Sequence, residues 1–317
     1  MPGTTTETSR QESAPAGHWV APDQMRAYAL EETTAYRVGG TAEGWVERFG
    51  DDYIVSAKTA AARSQLIADF HTWVAANDTR VSRVFARDLP LQPSERDVPE
   101  LLTGDAQTTR QTVVTEGSMR FGIDFDGGYS SGLFLDQRHN RALVRRVQPR
   151  GLLNCFAYTC SFSVAAALGG GHTVSVDLSS RALSRGRDNF RENGIDPRKH
   201  RFLAEDVLEA LPPLMQRNER FDMVILDPPT FSRGRRGQSF RVERDLEPLL
   251  LAALELTAPK GRILLSTNAA RMDDRDQEGI ARRCLRRQRV AADLHREPLR
   301  PWISGTHMAH TLWLNLR

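Results

Sequence analysis

Four side chains with chemistry to offer fall at the ends of strand-like apolar runs: Asn154, Asp177, Asp206 and Asp227. In a doubly wound parallel sheet the carboxyl ends of the strands converge on one crevice, so the four are expected to face one ligand space. Asp177 follows the apolar run Thr173 to Val176, roughly 20 residues past a first loop, the distance at which such folds place the carboxylate that takes ribose hydroxyls. Asp206 is placed to bound an adenine, although an Asp at a strand end also serves as a helix N-cap, and both readings stand for it. Asp227 opens the run Asp227-Pro228-Pro229-Thr230-Phe231-Ser232. Two prolines after a buried strand stiffen the backbone and free its carbonyls from the sheet, an acceptor cluster suited to a planar base. The chemistry implied is the binding of an adenosine-bearing cofactor beside a heterocycle.

The surrounding pattern supplies the elements that must hold these groups. Leu152 and Leu153 lead into a loop, Asn154 to Ser161, then a small-residue helix, Phe162 to Leu168, that stops at Gly169-Gly170-Gly171. A helix over Ser180 to Asn193, a turn at Gly194 to Pro197 and a short strand near Arg201 to Leu203 come next. A further helix, a loop at Arg217 to Arg220 and the run Phe221 to Leu226 follow; that run reads as a strand covered on both faces. The fold class is α/β: a Rossmann-like, mostly parallel sheet with a smaller N-terminal α+β domain. The first loop lacks the G-x-G-x-x-G spacing that admits a pyrophosphate, which disfavours a dehydrogenase.

The segment Ser131-Gly132-Leu133-Phe134-Leu135-Asp136-Gln137-Arg138, the loop Asn154 to Ser161 and the motif Asp227 to Ser232 resemble the class I S-adenosylmethionine-dependent methyltransferases of bacterial large-subunit ribosomal RNA. The resemblance runs from about Ala35 to the C-terminus. It implies that Phe134, Asp136, Gln137 and Arg138 close over the methionine end of S-adenosyl-L-methionine. It extends the cofactor set to Asn154, Phe156, Tyr158, Thr159, Asp177, Leu178, Ser179, Asp206, Val207 and Asp227. One departure stands in the first loop: the family commonly has glycine where this chain has Cys160, a position where the backbone approaches the cofactor.

Members that make 5-methylcytosine need a cysteine nucleophile after the fifth strand. Here that strand, Arg262 to Leu265, is followed by Ser266-Thr267-Asn268, and the three cysteines, Cys155, Cys160 and Cys284, lie elsewhere. These residues resemble the branch that methylates guanine at N7 of 23S rRNA. That reaction removes no proton, so the protein has to align donor and acceptor and exclude water. The catalytic set is Asp227, Pro228, Pro229, Thr230, Phe231 and Asn268: Asp227 accepts from the base's edge, Phe231 stacks on it, and Asn268 or Ser266 completes edge recognition. The alternatives are methyl transfer to a small nitrogen heterocycle, the 5-methylcytosine chemistry, and a non-catalytic RNA-binding protein.

With 317 residues, 40% of them hydrophobic, the chain suits two domains with real cores. No apolar run near 20 residues and no basic-plus-apolar leader is present, which points to the cytoplasm and away from membranes; three cysteines fit a reducing compartment. Residues 1–24 are polar and aperiodic and predict a disordered tail. Residues 25–111 predict a small α+β substrate-side domain, with a turn at Gly39-Gly40, strands over Trp45 to Phe49 and Tyr53 to Ser56, a helix from Ala60 to Ala76, and a Pro-bearing linker over Leu89 to Gln107. Residues 112–317 form the catalytic domain, opened by a hairpin over Thr112 to Phe125. The partner expected is RNA, 23S rRNA or a precursor of the large subunit, and oligomeric state is left open. Arg233, Arg235, Arg236 and Arg241 flank the site and suit phosphate contact. Arg282, Arg283, Arg286, Arg287 and Arg289 read as a solvated face. His307 and His310 read as structural or substrate-edge residues, and no metal is expected.

Overall fold

The computed structural model of the chain describes residues 17–89, 98–127, 130–233, 239–269, 271–297 and 309–317. The tail over 1–16 and, among the residues singled out above, Arg235, Arg236 and His307 lie outside them.

Two sheets dominate. The first is built from β1 (His18–Trp19), β2 (Ala35–Thr41), β3 (Gly44–Phe49), β4 (Asp52–Ala57), β5 (Arg83–Asp88) and β6 (Glu100–Thr103), which lie side by side in that order. All neighbours are antiparallel except β4 and β5, whose parallel pairing needs the crossover helix α2 (Ala60–Asn77). Leu66, Phe70 and Trp73 of that helix pack on one face of the sheet, against Tyr53, Val55 and Val84. Helix α1 (Pro22–Leu30) lies between β1 and β2.

The structure corrects three details of the N-terminal reading. Within the segment read as a disordered tail, His18–Trp19 form β1 and residues 22–24 open α1, because Pro22 is preset for the first helical turn and Gln24 accepts from the Ala21 N–H. Gly39 and Gly40 are inside β2 rather than in a turn. A Cβ on Gly39 would come 2.4 Å from the Trp19 ring, and one on Gly40 2.8 Å from the Gly44 carbonyl oxygen and the Trp45 Cβ, so Gly39 admits an indole and Gly40 the close approach of β3. The segment read as a linker contains β6, which Val84, Phe85 and Ala86 of β5 recruit as an edge strand.

A hairpin, β7 (Gln111–Glu116) and β8 (Met119–Asp124), and a short 3-10 turn, Leu135–Gln137, lead into α3 (Arg138–Val147). Then come β9 (Gly151–Cys155), α4 (Ser161–Ala167), β10 (His172–Val176), α5 (Ser180–Glu192), β11 (Arg201–Leu203), α6 (Val207–Gln216) and β12 (Phe221–Leu226). A small hairpin, β13 (Phe231–Arg233) with β14 (Ser239–Arg241), precedes α7 (Val242–Leu256), β15 (Thr257–Thr267), α8 (Asp274–Gln288), β16 (Ala292–His295) and β17 (His310–Leu316). The second sheet has the order β11-β10-β9-β12-β15-β17-β16, parallel apart from β17, which runs against both its neighbours.

The central strands explain why this sheet is parallel and covered. Leu153, Val224 and Ile263 enter one core, and Leu152, Met223, Ile225 and Leu264 enter the other. Apolar residues on both faces of three adjacent strands require helices on both faces. The chain runs outward from β9 to β11 and returns at β12, so the β9/β12 boundary is the topological switch point, and the crevice opens at its carboxyl end.

The second core does not stop at the catalytic sheet. It takes in Ala35, Phe49, Ile54 and Phe85 from the first sheet, with Phe125 stacked on Phe85 at 4.3 Å between ring centres. At its edge the Arg141 guanidinium grips Glu116 through two hydrogen bonds of 2.6 Å, both side chains almost fully enclosed. Removing one partner would strand a buried charge. Glu116→Ala is therefore expected to destabilise the fold by about 3–5 kcal/mol in urea unfolding. A loss below about 1 kcal/mol would mean that water reaches Arg141.

Candidate cofactor and base site

The loop after β9 is folded by three non-glycine residues in the left-handed region: Phe156 at φ 59°, Tyr158 at 47° and Cys160 at 62°. Such conformations are each disfavoured by about 1–2 kcal/mol, so neighbours must hold them. Asp177 does part of this: its two carboxylate oxygens accept the Tyr158 and Ser179 N–H groups, both at 2.8 Å. The Thr159 hydroxyl donates to the Gly132 carbonyl at 2.6 Å, the Tyr158 hydroxyl to that of Ser130, and Arg185 to that of Ser131 at 2.8 Å. The segment ahead of the 3-10 turn is thereby tied down beside the loop. Phe134 projects there, 44% exposed, with its ring 5.3 Å from that of Tyr158.

Cys160 fits because α5 leaves room. A Cβ on Gly186 would lie 2.5 Å from the Cys160 sulfur, so glycine on the helix accommodates a side chain on the loop. Neither Arg185 nor Gly186 was singled out from the sequence. Gly186, a glycine inside a helical pattern, was the legible signal, since such a residue usually has a packing reason.

Three carboxylates are recessed around the switch point. Asp227 follows β12, and burial pushes its carboxyl up to about 6, with Asp136 adding repulsion while Ser266 and Arg141 oppose the rise. Asp136, in the 3-10 turn, is also raised by burial, and its Oδ2 accepts the Ala309 N–H at 3.2 Å. Burial raises Asp177 as well, against the two backbone N–H groups that hold it. Among the described residues none of the three forms an ion pair. Gln137 is buried beside Asp227: its Nε2 donates to Ser266 Oγ at 2.7 Å and reaches Asp227 Oδ1 at 3.4 Å.

Around the mouth the arrangement is open. Phe231 is 38% exposed, with the Arg241 guanidinium 5.2 Å and that of Arg233 6.0 Å from its ring centre. Pro228 is buried and Pro229 exposed, which anchors one end of the motif and presents the other. Thr230 and Asn268, both exposed, meet at 3.4 Å across the rim.

Several expectations need correction. Asn154 does not face the crevice; it belongs to β9, is 1% exposed, and donates to Ser163, because an even step along the strand turns it beneath α4. Arg138 faces the first sheet's unit, pairing with Glu31, donating to Thr33 at 3.2 Å and lying 4.9 Å over the Tyr28 ring. Val207 points into the core. Ser266 is fully enclosed and engaged by Gln137, so Asn268 is the one of the pair that reaches the rim. Asp206 acts as the N-cap of α6 through Leu208 N–H at 2.9 Å while staying half-buried at the strand end; Leu178 and Ser179 remain at the margin of the loop. His310 lies 2.7 Å from Asp274. Arg282 and Arg283 pair with Glu278 and Glu247 on the surface.

A family model described as S-adenosylmethionine-dependent methyltransferase matches residues 67–290. The chain belongs to this methyltransferase family. It is 38% identical over 161 residues to a putative ribosomal RNA large subunit methyltransferase, YwbD, of Bacillus subtilis, a match covering 50% of this chain and 40% of that one. To ribosomal RNA large subunit methyltransferase K/L of Methylococcus capsulatus it is 37% identical over 206 residues, 62% of this chain and 28% of the relative. The chain thus spans less than half the length of these relatives. A putative methyltransferase solved with SAH, SMU.776, superposes with a TM-score of 0.78 at 25% identity, covering 92% of this chain and 78% of that one. A methyltransferase from Agrobacterium tumefaciens shares the fold, with a TM-score of 0.70 at 18% identity over 90% and 91% of the chains.

The methyltransferase site suits S-adenosylmethionine on its own terms. Recessed carboxylates that form no ion pair among the described residues complement a ligand that carries an ammonium and a sulfonium. The same feature burdens the free protein. Asp227 ordinarily titrates near 3.8 and here near 6, so between those values the folded chain holds a proton that the unfolded chain releases, and stability falls as pH rises through that window. Asp227→Asn removes the burden. It should be more stable than the parent by about 3 kcal/mol at pH 8 and by less than about 1 kcal/mol at pH 4 in urea unfolding; an identical difference at both pH values would refute the burial argument. A second expectation concerns the loop. Gly186→Ala should cost about 1–3 kcal/mol, and much less in a Cys160→Gly background, where the opposing sulfur is gone.

Proposed function

We propose that the chain is a cytoplasmic RNA methyltransferase that uses S-adenosylmethionine to methylate guanine at N7 in large-subunit ribosomal RNA or its precursor particle. The observation that carries the reading is the juxtaposition at one strand-end crevice of recessed carboxylates, Asp136, Asp177 and Asp227, with an exposed rim of Pro229, Thr230, Phe231 and Asn268 under two arginines. The relatives are named as a putative ribosomal RNA large subunit methyltransferase and as ribosomal RNA large subunit methyltransferase K/L, which supports the same substrate class.

S-adenosylmethionine, when bound, supplies an electrophilic methyl group on sulfur. Asp136 and Asp227 would hold its cationic end, Asp177 its ribose hydroxyls through the lone pairs left by two backbone bonds, and the ends of β10 and β11, with Asp206, its adenine. Phe156, Tyr158 and Thr159 shape the loop beneath it, and Phe134 covers the mouth. Guanine N7 carries a lone pair and no proton, so no base is required of the protein. Asp227 accepts from the guanine edge, Phe231 gives one ring face to the base, and Arg233 and Arg241 neutralise phosphates. Residues 25–111 form the substrate-side unit and 112–317 the catalytic unit.

Cytosine chemistry is poorly served. It needs a thiolate, yet all three cysteines are buried, and burial pushes the thiols of Cys160 and Cys284 up to about 12 and about 11.

Transfer of labelled methyl from S-adenosylmethionine to total RNA of a strain lacking this protein, followed by nucleoside mass spectrometry, should yield 7-methylguanosine. Labelled 5-methylcytidine would overturn the guanine assignment, and cofactor binding without labelled RNA would assign the site to a small nitrogen heterocycle. Phe231→Ala should lower kcat/KM by about 10–100-fold, the worth of one stacked base. RNA affinity should fall steeply with salt in both proteins.

A further inference from the structure

Behind the crevice lies a line of buried polar groups that the proposed chemistry does not use. The indole Nε1 of Trp313, on β17, donates to Asn140 Oδ1 at 2.9 Å. Asn140, on α3, donates through Nδ2 to Gln137 Oε1 at 2.9 Å. Gln137 passes its own N–H to Ser266 Oγ at 2.7 Å, with Asp227 Oδ1 beyond at 3.4 Å. Trp313, Asn140, Gln137 and Ser266 are all buried, the least so being 3% exposed.

The first member fixes the direction of all the rest. An indole N–H can donate and cannot accept, whereas the two ends of an amide can exchange roles. Asn140 must therefore turn its oxygen toward Trp313 and its NH2 toward Gln137. Gln137 must then accept with its oxygen and donate toward Ser266 and Asp227. Because the Ser266 hydroxyl accepts from Gln137, its hydrogen is released for the Asp227 carboxylate. With the Gln137 amide reversed, that hydrogen would be drawn to the Gln137 oxygen, and Asp227 would face a second acceptor. Among buried groups, donors that point one way polarise one another and are hard to replace.

We propose that Asn140, oriented by the Trp313 indole, is a positioning residue that sets the Gln137 and Ser266 donors toward Asp227. It touches neither cofactor nor base and acts through the two groups between. The inference deepens the proposed site and rests on that reading for its functional meaning; the orientation itself is a property of the free protein. The charged groups facing Asp227 are Asp136 of the 3-10 turn and Arg141 of α3, and neither variant below removes either.

The test is the titration of the Asp227 carboxyl carbon by NMR in the cofactor-free full chain, the signal assigned with Asp227→Asn. Asn140→Ala and, independently, Trp313→Phe should raise the midpoint by about half a pH unit or more, a roughly threefold tighter hold on the proton. The double variant should shift it no further than Asn140→Ala alone, since the indole acts only through Asn140. An unchanged midpoint in both folded single variants, or additive shifts, overturns the inference. S-adenosylmethionine affinity on the same samples, measured by calorimetry at pH 6 and 8, reads the functional assignment separately. Loss confined to pH 6 supports positioning. Absence of binding in the parent would sink the cofactor assignment while leaving the titration to judge the relay.

Discussion

Asp136, Asp177 and Asp227 are recessed at the strand ends with no ion-pair partner among the described residues, an unfavourable placement for charge that much of the architecture serves to make tolerable. Strands buried on both faces bring the ends of β9, β10 and β12 to one depth. Backbone N–H groups of Tyr158, Ser179 and Ala309 and the amide of Gln137 then supply hydrogen bonds in place of solvent. What remains is negative charge that Arg141 offsets only in part. A cationic ligand such as the family's S-adenosylmethionine would complement it.

The same constraint accounts for the first loop. Its three left-handed residues are held by contacts from three directions: Asp177 below, the segment 130–132 beside it, and α5 behind. Glycine would have adopted the conformation without help. Cys160 adopts it because Gly186 leaves a space for sulfur, so the permissive residue has moved from the loop to the helix that covers it.

The smaller sheet is more than an appendage. Its apolar end, at Ala35, Phe49, Ile54 and Phe85, belongs to the core that also contains Leu152 and Trp313 of the catalytic sheet. Arg138, one residue from Gln137, is gripped by Glu31 and Tyr28 of the same unit. Displacing that sheet would disturb the turn that carries Asp136. The rim is built otherwise: Phe231, Thr230 and Asn268 are exposed, Phe231 on the small β13/β14 hairpin and Thr230 against Asn268.

Local pattern carried the alternation of strands and helices, the acidic strand ends and the rigid Asp227 to Ser232 motif, because apolar runs of fixed length and prolines act over a few residues. Residue types likewise marked Asp177 and Asp227 as groups set apart. What pattern could not assign was direction. Whether a polar residue such as Asn154 or Ser266 meets ligand or core depends on which face of a strand is covered, and Arg138 was turned from the pocket by partners about 105 residues away. Gly39 and Gly40, turn-like in isolation, became strand once the Trp19 ring and the β3 chain at Gly44 and Trp45 lay against them. The order in which Trp313, Asn140 and Gln137 hand on their hydrogen bonds exists only when β17 is inserted beside β15, since a hydrogen bond between residues 173 apart has no trace in their spacing.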